Sequence, residues 1–165
     1  MARVHGSRLY ALVGRRVRSM TGLCYVIDGA WCCTAPLIID FGGPRLELAF
    51  DGFDEMHLGW ETIDVDEPLD TPDQDDPELA LAWGDPQEPH LAGILGAVVR
   101  EVRVLEHDFR LDRVDGQRLQ AWLLAGLELV FDDGRAVQLS NVFSELTVAA
   151  EPADDDTWRR QVVRS

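Results

Sequence analysis

Lysine is missing from this chain, and each of its 15 basic residues is an arginine. Without a lysine side chain the protein cannot form a lysine Schiff base with a carbonyl substrate or supply the lysine of a P-loop. The bias towards arginine is typical of a GC-rich genome, and it also suits planar, bidentate pairing with carboxylates. The sequence leaves both explanations open.

Cysteine is scarce, with Cys24, Cys32 and Cys33 as the whole set. An odd number that includes an adjacent pair does not match a disulfide framework. Neighbouring residues of a strand point to opposite faces, so Cys32 and Cys33 are poorly placed to chelate one metal ion. We interpret the three as small buried thiols, with a reactive or metal-bound thiol as the alternative.

Long apolar runs are absent as well. None is long enough to cross a bilayer, and Met1–Gly14 lacks the apolar region and cleavage site of a secretory signal. The sequence therefore predicts a cytoplasmic protein without a membrane segment. Hydrophobic residues make up 46% of the 165 positions, which is ordinary for one folded domain or two small halves with a shared core.

Motifs of nucleotide, metal and nucleophilic chemistry are also missing, since the chain has no GxGxxG, GxSxG or HExxH. Asp73, Asp75 and Asp76 resemble the start of a calcium loop, but no glycine or closing glutamate follows at the required spacing. We assign no catalytic residue, no metal site and no cofactor, and we expect a non-enzymatic protein. The alternative is a small-ligand or enzymatic domain whose cleft collects His57, His107 or Cys33.

Acidic residues are abundant and unevenly spread. The window from Leu46 to Val99 holds 15 of the 30 Asp and Glu residues and no arginine, so it carries the whole net charge of −15. A strongly acidic protein repels phosphate, which argues against nucleic-acid binding. The same charge favours a basic protein partner, or it serves solubility alone.

An internal repeat is the second informative feature. Residues 37–58 align without gaps with residues 127–148 at an offset of 90, and residues 14–18 align with residues 96–100 at an offset of 82. The difference predicts eight extra residues in the second half, near residues 110–117. A period this long suits two half-domains about a pseudo-twofold axis rather than a solenoid. We expect Arg45 and Arg135, which match in the repeat, to pair with Glu55 and Glu145.

The sequence predicts a mostly β protein made of two similar antiparallel β-meander halves with one or two short helices. Alternating apolar residues around glycine-containing turns predict hairpins over 37–50 and 127–139, followed by third strands over 55–63 and 145–149. Long strands over 17–27 and 97–109 precede them. Gly126, inside an apolar strand over 119–130, predicts a bulge.

Helices are expected over 89–95 and 157–164, the second with acids before it and arginines towards its end. Within a single domain (1–165) we distinguish a first β half (8–63), an acidic connector (64–88), a second β half (89–150) and a C-terminal helix or tail (151–165). Three prolines and seven acids within 64–77 exclude a packed element there.

The connector is the candidate recognition element, with Trp60 and Trp83 as apolar anchors at its two ends. An aromatic anchor surrounded by acids is typical of a hot spot for a basic partner. The acidic residues of the predicted partner-binding set are Asp64, Asp66, Glu67, Asp70, Asp73, Asp75 and Asp76. The competing interpretation is a solvated surface, as on a structural homodimer, and the oligomeric state stays open. Trp83 is also expected to dock on the core.

Four short segments carry a resemblance to other proteins. They are Leu12-Val13-Gly14 with Val17, the Pro36–Phe41 strand, the Phe53–Asp64 segment, and Trp83, over about half of the chain. In these segments the chain looks like a loosely defined set of uncharacterised small acidic bacterial proteins. Some proteins of this type resemble immunity proteins, which neutralise toxins used between competing bacteria. The resemblance implies a stoichiometric binder without catalytic residues.

Overall fold

The computed structural model describes residues 2–50, 56–69, 76, 78–112, 116–142, 145–150 and 158–164. Within these residues the first half of the chain forms α1 (Ala2–Tyr10), β1 (Ser19–Tyr25), β2 (Leu37–Asp40), β3 (Arg45–Phe50), β4 (Met56–Trp60) and β5 (Leu81–Gly84). The second half forms α2 (Pro89–Ala92), β6 (Val99–Asp112), β7 (Arg118–Phe131), β8 (Ala136–Val142), β9 (Glu145–Ala149) and β10 (Trp158–Val162). The predicted mostly β class with two short helices is confirmed.

The strands form two antiparallel five-stranded sheets, with the orders β4-β3-β2-β1-β5 and β10-β6-β7-β8-β9. In each half, four strands run as a meander and a fifth strand returns to pair with the first. A helix precedes the meander in both halves. The two halves therefore have the same layout, as the repeat predicts.

One hydrophobic cluster, here called the main core, contains apolar residues from both sheets and both helices. Its fully buried members include Leu9, Leu37, Ile39, Leu48, Leu91, Val102, Leu127, Leu129 and Leu139. A smaller second cluster, built on Leu23, Cys32 and Ala35, lies at the β1–β5 side of the first sheet. None of the described helices is long and apolar enough to cross a membrane.

Strand register preserves the offsets of the repeat. Ser19 pairs with Asp40 in the first half, and Glu101 pairs with Val130 in the second, at offsets of 82 and 90. The eight extra residues fall in the long β6–β7 hairpin, as predicted. Across the next turn the gapless alignment is wrong by one residue, because Leu37 faces Leu48 whereas Leu127 faces Leu139. The structural counterpart of Glu47 is therefore Gln138.

Backbone hydrogen bonds at the junction of the halves come in reciprocal pairs. Gly14 N–H donates to Val99 and Gly96 N–H donates to Val17; Val17 N–H donates to Ala97 and Val99 N–H donates to Arg15, at 2.7–2.9 Å. Exchange of residues at the offset of 82 converts each bond into its counterpart. The pseudo-twofold relation of the complete halves stays a prediction, which this local reciprocity supports.

The two predicted helices have different outcomes. Residues 89–92 form α2, capped by the Glu88 carboxylate, which accepts from Leu91 N–H at 2.8 Å. The helix predicted over 157–164 is wrong, because β10 occupies 158–162 and pairs with β6. The predicted bulge at Gly126 is confirmed by a register shift, and a Cβ atom added there would lie 2.4 Å from the Leu139 oxygen.

Candidate binding surface

The acidic connector begins and ends on opposite edges of the first sheet. Trp60 is the last residue of β4, and Leu81 is the first residue of β5, with three strands between these two edges. The end of the connector is therefore part of the sheet rather than a free segment. The chain between the two edges carries the predicted partner-binding acids.

Glu47 fixes the chain just before the connector to β3. Its buried carboxylate accepts from Thr62 N–H at 2.8 Å and from Ile63 N–H at 3.0 Å, and the Thr62 hydroxyl donates to it. Arg45 lies 3.3 Å from the same carboxylate and donates to the Ile63 carbonyl. Burial raises the pKa of Glu47, but the hydrogen bonds from Ile63 and Thr62 and the charge of Arg45 place it below its ordinary range.

The described acids of the predicted set are Asp64, Asp66, Glu67 and Asp76, and all four are exposed. Asp64 accepts from Asp66 N–H at 3.0 Å, and Asp76 accepts from Glu78 N–H at 3.0 Å, so local turns are held by their carboxylates. Within the described ranges none of the four forms an ion pair. Three further members of the set lie outside the described residues: Asp70, Asp73 and Asp75.

Carboxylates on the strands and hairpins are in a different situation. Arginines form ion pairs with seven of them: Glu47, Glu101, Glu106, Asp108, Asp112, Glu128 and Asp133. The predicted pairing of Arg135 with Glu145 is wrong, since Arg135 binds Asp133 and the Gly93 carbonyl. The partner predicted for Arg45, Glu55, lies outside the described residues. The negative charge of these strand acids is therefore neutralised locally by arginine, whereas the charge of the four described connector acids is not.

The two tryptophans at the connector ends are half-buried and far from each other in the strand order. Trp60 packs on the main core, donates from Nε1 to His5 Nδ1 at 3.1 Å, and has the Arg8 guanidinium 5.8 Å from its ring centre. Trp83 packs on the second cluster, which confirms that it docks the connector on the folded protein. The structure places them on the opposite edge strands β4 and β5.

Three exposed apolar residues, of which Leu79 lies inside the connector, are not among the residues that the sequence predicts for the site. Val26 is 61% exposed, Ile27 is 63% exposed and Leu79 is 45% exposed. Sequence reasoning placed Val26 and Ile27 inside the first strand, but β1 ends at Tyr25 and a turn follows. The Asp28-Gly29 step just after them is the signal that could have ended the strand earlier.

The residues proposed for an alternative ligand or enzyme cleft do not converge. His57 is exposed on β4, His107 is half-buried on β6, and Cys33 lies in the loop before β2. Burial, followed by the charge of Glu145, raises the pKa of the Cys33 thiol, which lowers its nucleophilicity at neutral pH. Grooves of about 400, 280 and 170 Å³ are lined by other side chains. No group of His, Cys, Asp and Glu among the described residues could hold a metal ion.

Comparison with known proteins finds no matching family model, no matching curated protein and no matching solved structure.

Proposed function

We propose that this chain is a non-enzymatic binding protein that captures a basic protein partner on its acidic connector. One observation carries the proposal: the described acids of the predicted set, Asp64, Asp66, Glu67 and Asp76, are exposed and form no ion pair within the described residues, on a segment that contains no arginine. The carboxylates available to a partner are therefore concentrated in one stretch between β4 and β5.

Electrostatic steering is the physical advantage of this arrangement. A surface of one sign raises the association rate of an oppositely charged partner, and the effect falls with ionic strength. A row of carboxylates also presents anionic oxygens as phosphates do, which suits inhibition of a nuclease. In its narrower form, the proposal is an immunity or inhibitor protein of the bacterial cytoplasm that neutralises a basic toxin.

The direct test uses an oligo-arginine peptide as the probe and compares two variants of equal charge. Asp66→Asn with Glu67→Gln removes two exposed connector acids. Asp132→Asn with Glu145→Gln removes two exposed acids of the second half, again one Asp and one Glu, and neither forms an ion pair in the described residues. We expect the connector variant to bind the peptide about fivefold more weakly at low salt, because two local charges are lost.

The control variant should bind within about twofold of the original chain, and the difference between variants should shrink as salt rises. Equal weakening by both variants would show that only net charge matters and would refute the connector as the binding surface. A pull-down at low and high salt then identifies the natural partner. The variant that carries amides in place of the acids at 64, 66, 67, 70, 73, 75 and 76 should not retain it.

A further inference from the structure

An apolar patch lies where the turn after β1 meets the chain entering β5. It consists of Val26, Ile27 and Leu79, at 61%, 63% and 45% exposure, and is called the tip surface below. Clustered exposed apolar residues mark interaction sites more often than scattered ones do. The tip surface is continuous with the acidic connector, since Leu79 belongs to both.

Backbone hydrogen bonds hold the two parts of the tip surface together. Val26 N–H donates to Ala80 oxygen at 2.9 Å, which extends the β1–β5 pairing by one residue beyond the Tyr25–Leu81 pair. Ala80 N–H donates to Asp76 oxygen at 2.8 Å and closes the second turn. The apolar side chains are thus presented on hydrogen-bonded turns before any partner arrives, which lowers the entropic cost of binding.

The second cluster is next to the tip surface along the chain, since Tyr25 precedes Val26 and Leu81 follows Leu79 by two residues. Tyr25, Leu69 and Leu81 pack there on Leu23 and Cys32. This cluster is separate from the main core, whose members come from both sheets. The exposed side chains of Val26, Ile27 and Leu79 belong to neither cluster, so folding of the chain does not account for their apolar character.

Acidic side chains surround the tip surface. Asp28 follows Ile27 in the turn, and Asp76 and Glu78 precede Leu79; all three are exposed and form no ion pair in the described part of the chain. A second copy of this chain would bring the same carboxylates face to face, and an anionic membrane surface would also be repelled. The charge is complementary only to a cationic partner.

We propose that the tip surface binds a protein segment that presents apolar side chains flanked by arginine or lysine. This inference rests on the proposed function and adds a contact that is independent of charge. A hydrophobic centre within a polar rim is the usual composition of an energetic hot spot. The connector acids then raise the association rate, and the tip surface slows dissociation.

Two synthetic peptides of equal charge test the inference, one with alternating arginine and leucine and one with alternating arginine and serine. We expect the arginine-leucine peptide to bind about tenfold more tightly, because burial of one or two aliphatic side chains has an effect of that size. Val26→Ser with Leu79→Ser, and Ile27→Ser alone, should each reduce that preference, the double variant to within about twofold.

A matched control is Leu119→Ser with Val142→Ser, which removes one Leu and one Val of 50% and 39% exposure from the second sheet. The control should keep the full preference, and circular dichroism should show that every variant is folded. Equal binding of both peptides, or equal loss of preference in the control, overturns the tip surface while the connector proposal stands. If neither peptide binds, both proposals fail.

Discussion

Glu47 shows how a single buried carboxylate can be stabilised and put to structural use. Four groups approach it: two backbone amides, the Thr62 hydroxyl and the Arg45 guanidinium. Gly59 lies against it on β4, where a Cβ atom would sit 2.5 Å from Glu47 Oε2. The counterpart in the second half is the neutral Gln138, also buried. The stability of the first half therefore depends on pH through Glu47, whereas the equivalent position of the second half does not titrate.

We expect Glu47→Gln to lower the free energy of unfolding by an amount that depends on pH. The pKa of Glu47 lies below the ordinary 4.5, so its ionised form stabilises the fold above that pH, and the contribution is lost as pH falls through the folded-state pKa. The variant should be less stable by about 1–3 kcal/mol at neutral pH. Urea unfolding at several pH values should show this difference shrinking below the ordinary pKa. The exposed Glu145→Gln change should cost less than about 0.5 kcal/mol at neutral pH.

Gly126→Ala should destabilise the second sheet by about 1–3 kcal/mol, because the new methyl group would meet the β8 backbone. The nearest atoms are the Leu139 oxygen at 2.4 Å and Ser140 Cα at 3.0 Å. Gly6→Ala is the control, since its Cβ would meet nothing within 4 Å in α1. That change should raise stability by about 0.5–1 kcal/mol through helix propensity. Thermal unfolding measures both, and a tolerated Gly126→Ala change would refute the tight β7–β8 contact.

At the scale of elements, β10 is the strand whose sequence is most typical of a different structure. Acids precede it and arginines fill it, as in a helix with a favourable dipole. Ion pairs with carboxylates on β6 and β7 favour a strand there instead of a helix. Arg159 forms an ion pair with the buried Glu106 and lies 4.4 Å from the Trp122 ring centre, while Arg160 reaches Glu128. Tertiary pairing overrides the local charge pattern.

Arg159→Ala is therefore expected to weaken the attachment of β10. The change removes the Arg159 ion pair of Glu106, which keeps its hydrogen bond from Gln161, and it also removes the contact with Trp122. We expect a loss of about 1–3 kcal/mol in urea unfolding, together with a change in tryptophan fluorescence. Arg164→Ala, an exposed arginine of the same segment, should stay within about 0.5 kcal/mol. Equal effects of the two changes would contradict the structural role of the Glu106 pair.

The hairpins were predictable because alternation and turn residues act over short distances. Leu37, Ile39 and Leu48 carry that pattern, and all are buried. The α1 helix was missed because Gly6 and the charged residues around it give little local signal, while Leu9 is held by the main core. The tip surface was missed for the same kind of reason: Leu79 joins Val26 through a pairing over 50 residues apart in sequence.

At the scale of the molecule, the two halves have the same strand layout but different surfaces. Most strand carboxylates of the second half form ion pairs with arginines, and the long β6–β7 hairpin belongs to that half alone. The first half has the acidic connector between β4 and β5. Both halves still contribute to one core through structurally equivalent leucines, Leu48 and Leu139, which are fully buried.

A shared core predicts that the chain unfolds as one unit. Leu48→Ala and Leu139→Ala should each destabilise it by about 2–5 kcal/mol, because each leaves a cavity in the same cluster. Circular dichroism and tryptophan fluorescence should report a single coincident transition for both variants. Trp83 lies in the first sheet and Trp122 in the second, so a half that melts alone would give two separate fluorescence steps. That result would refute the single domain.

The lack of lysine has a consequence for chemical crosslinking. A carbodiimide activates exposed carboxylates such as Asp64, Asp66 and Asp76, and the activated group then needs an amine to form an isopeptide bond. This chain supplies no side-chain amine, so apart from its α-amino group it cannot crosslink to itself or to another copy. Every other amide crosslink from these carboxylates joins the chain to a lysine or an α-amino group of a different protein. Mass spectrometry of the joined peptides would identify both the partner and the point of contact.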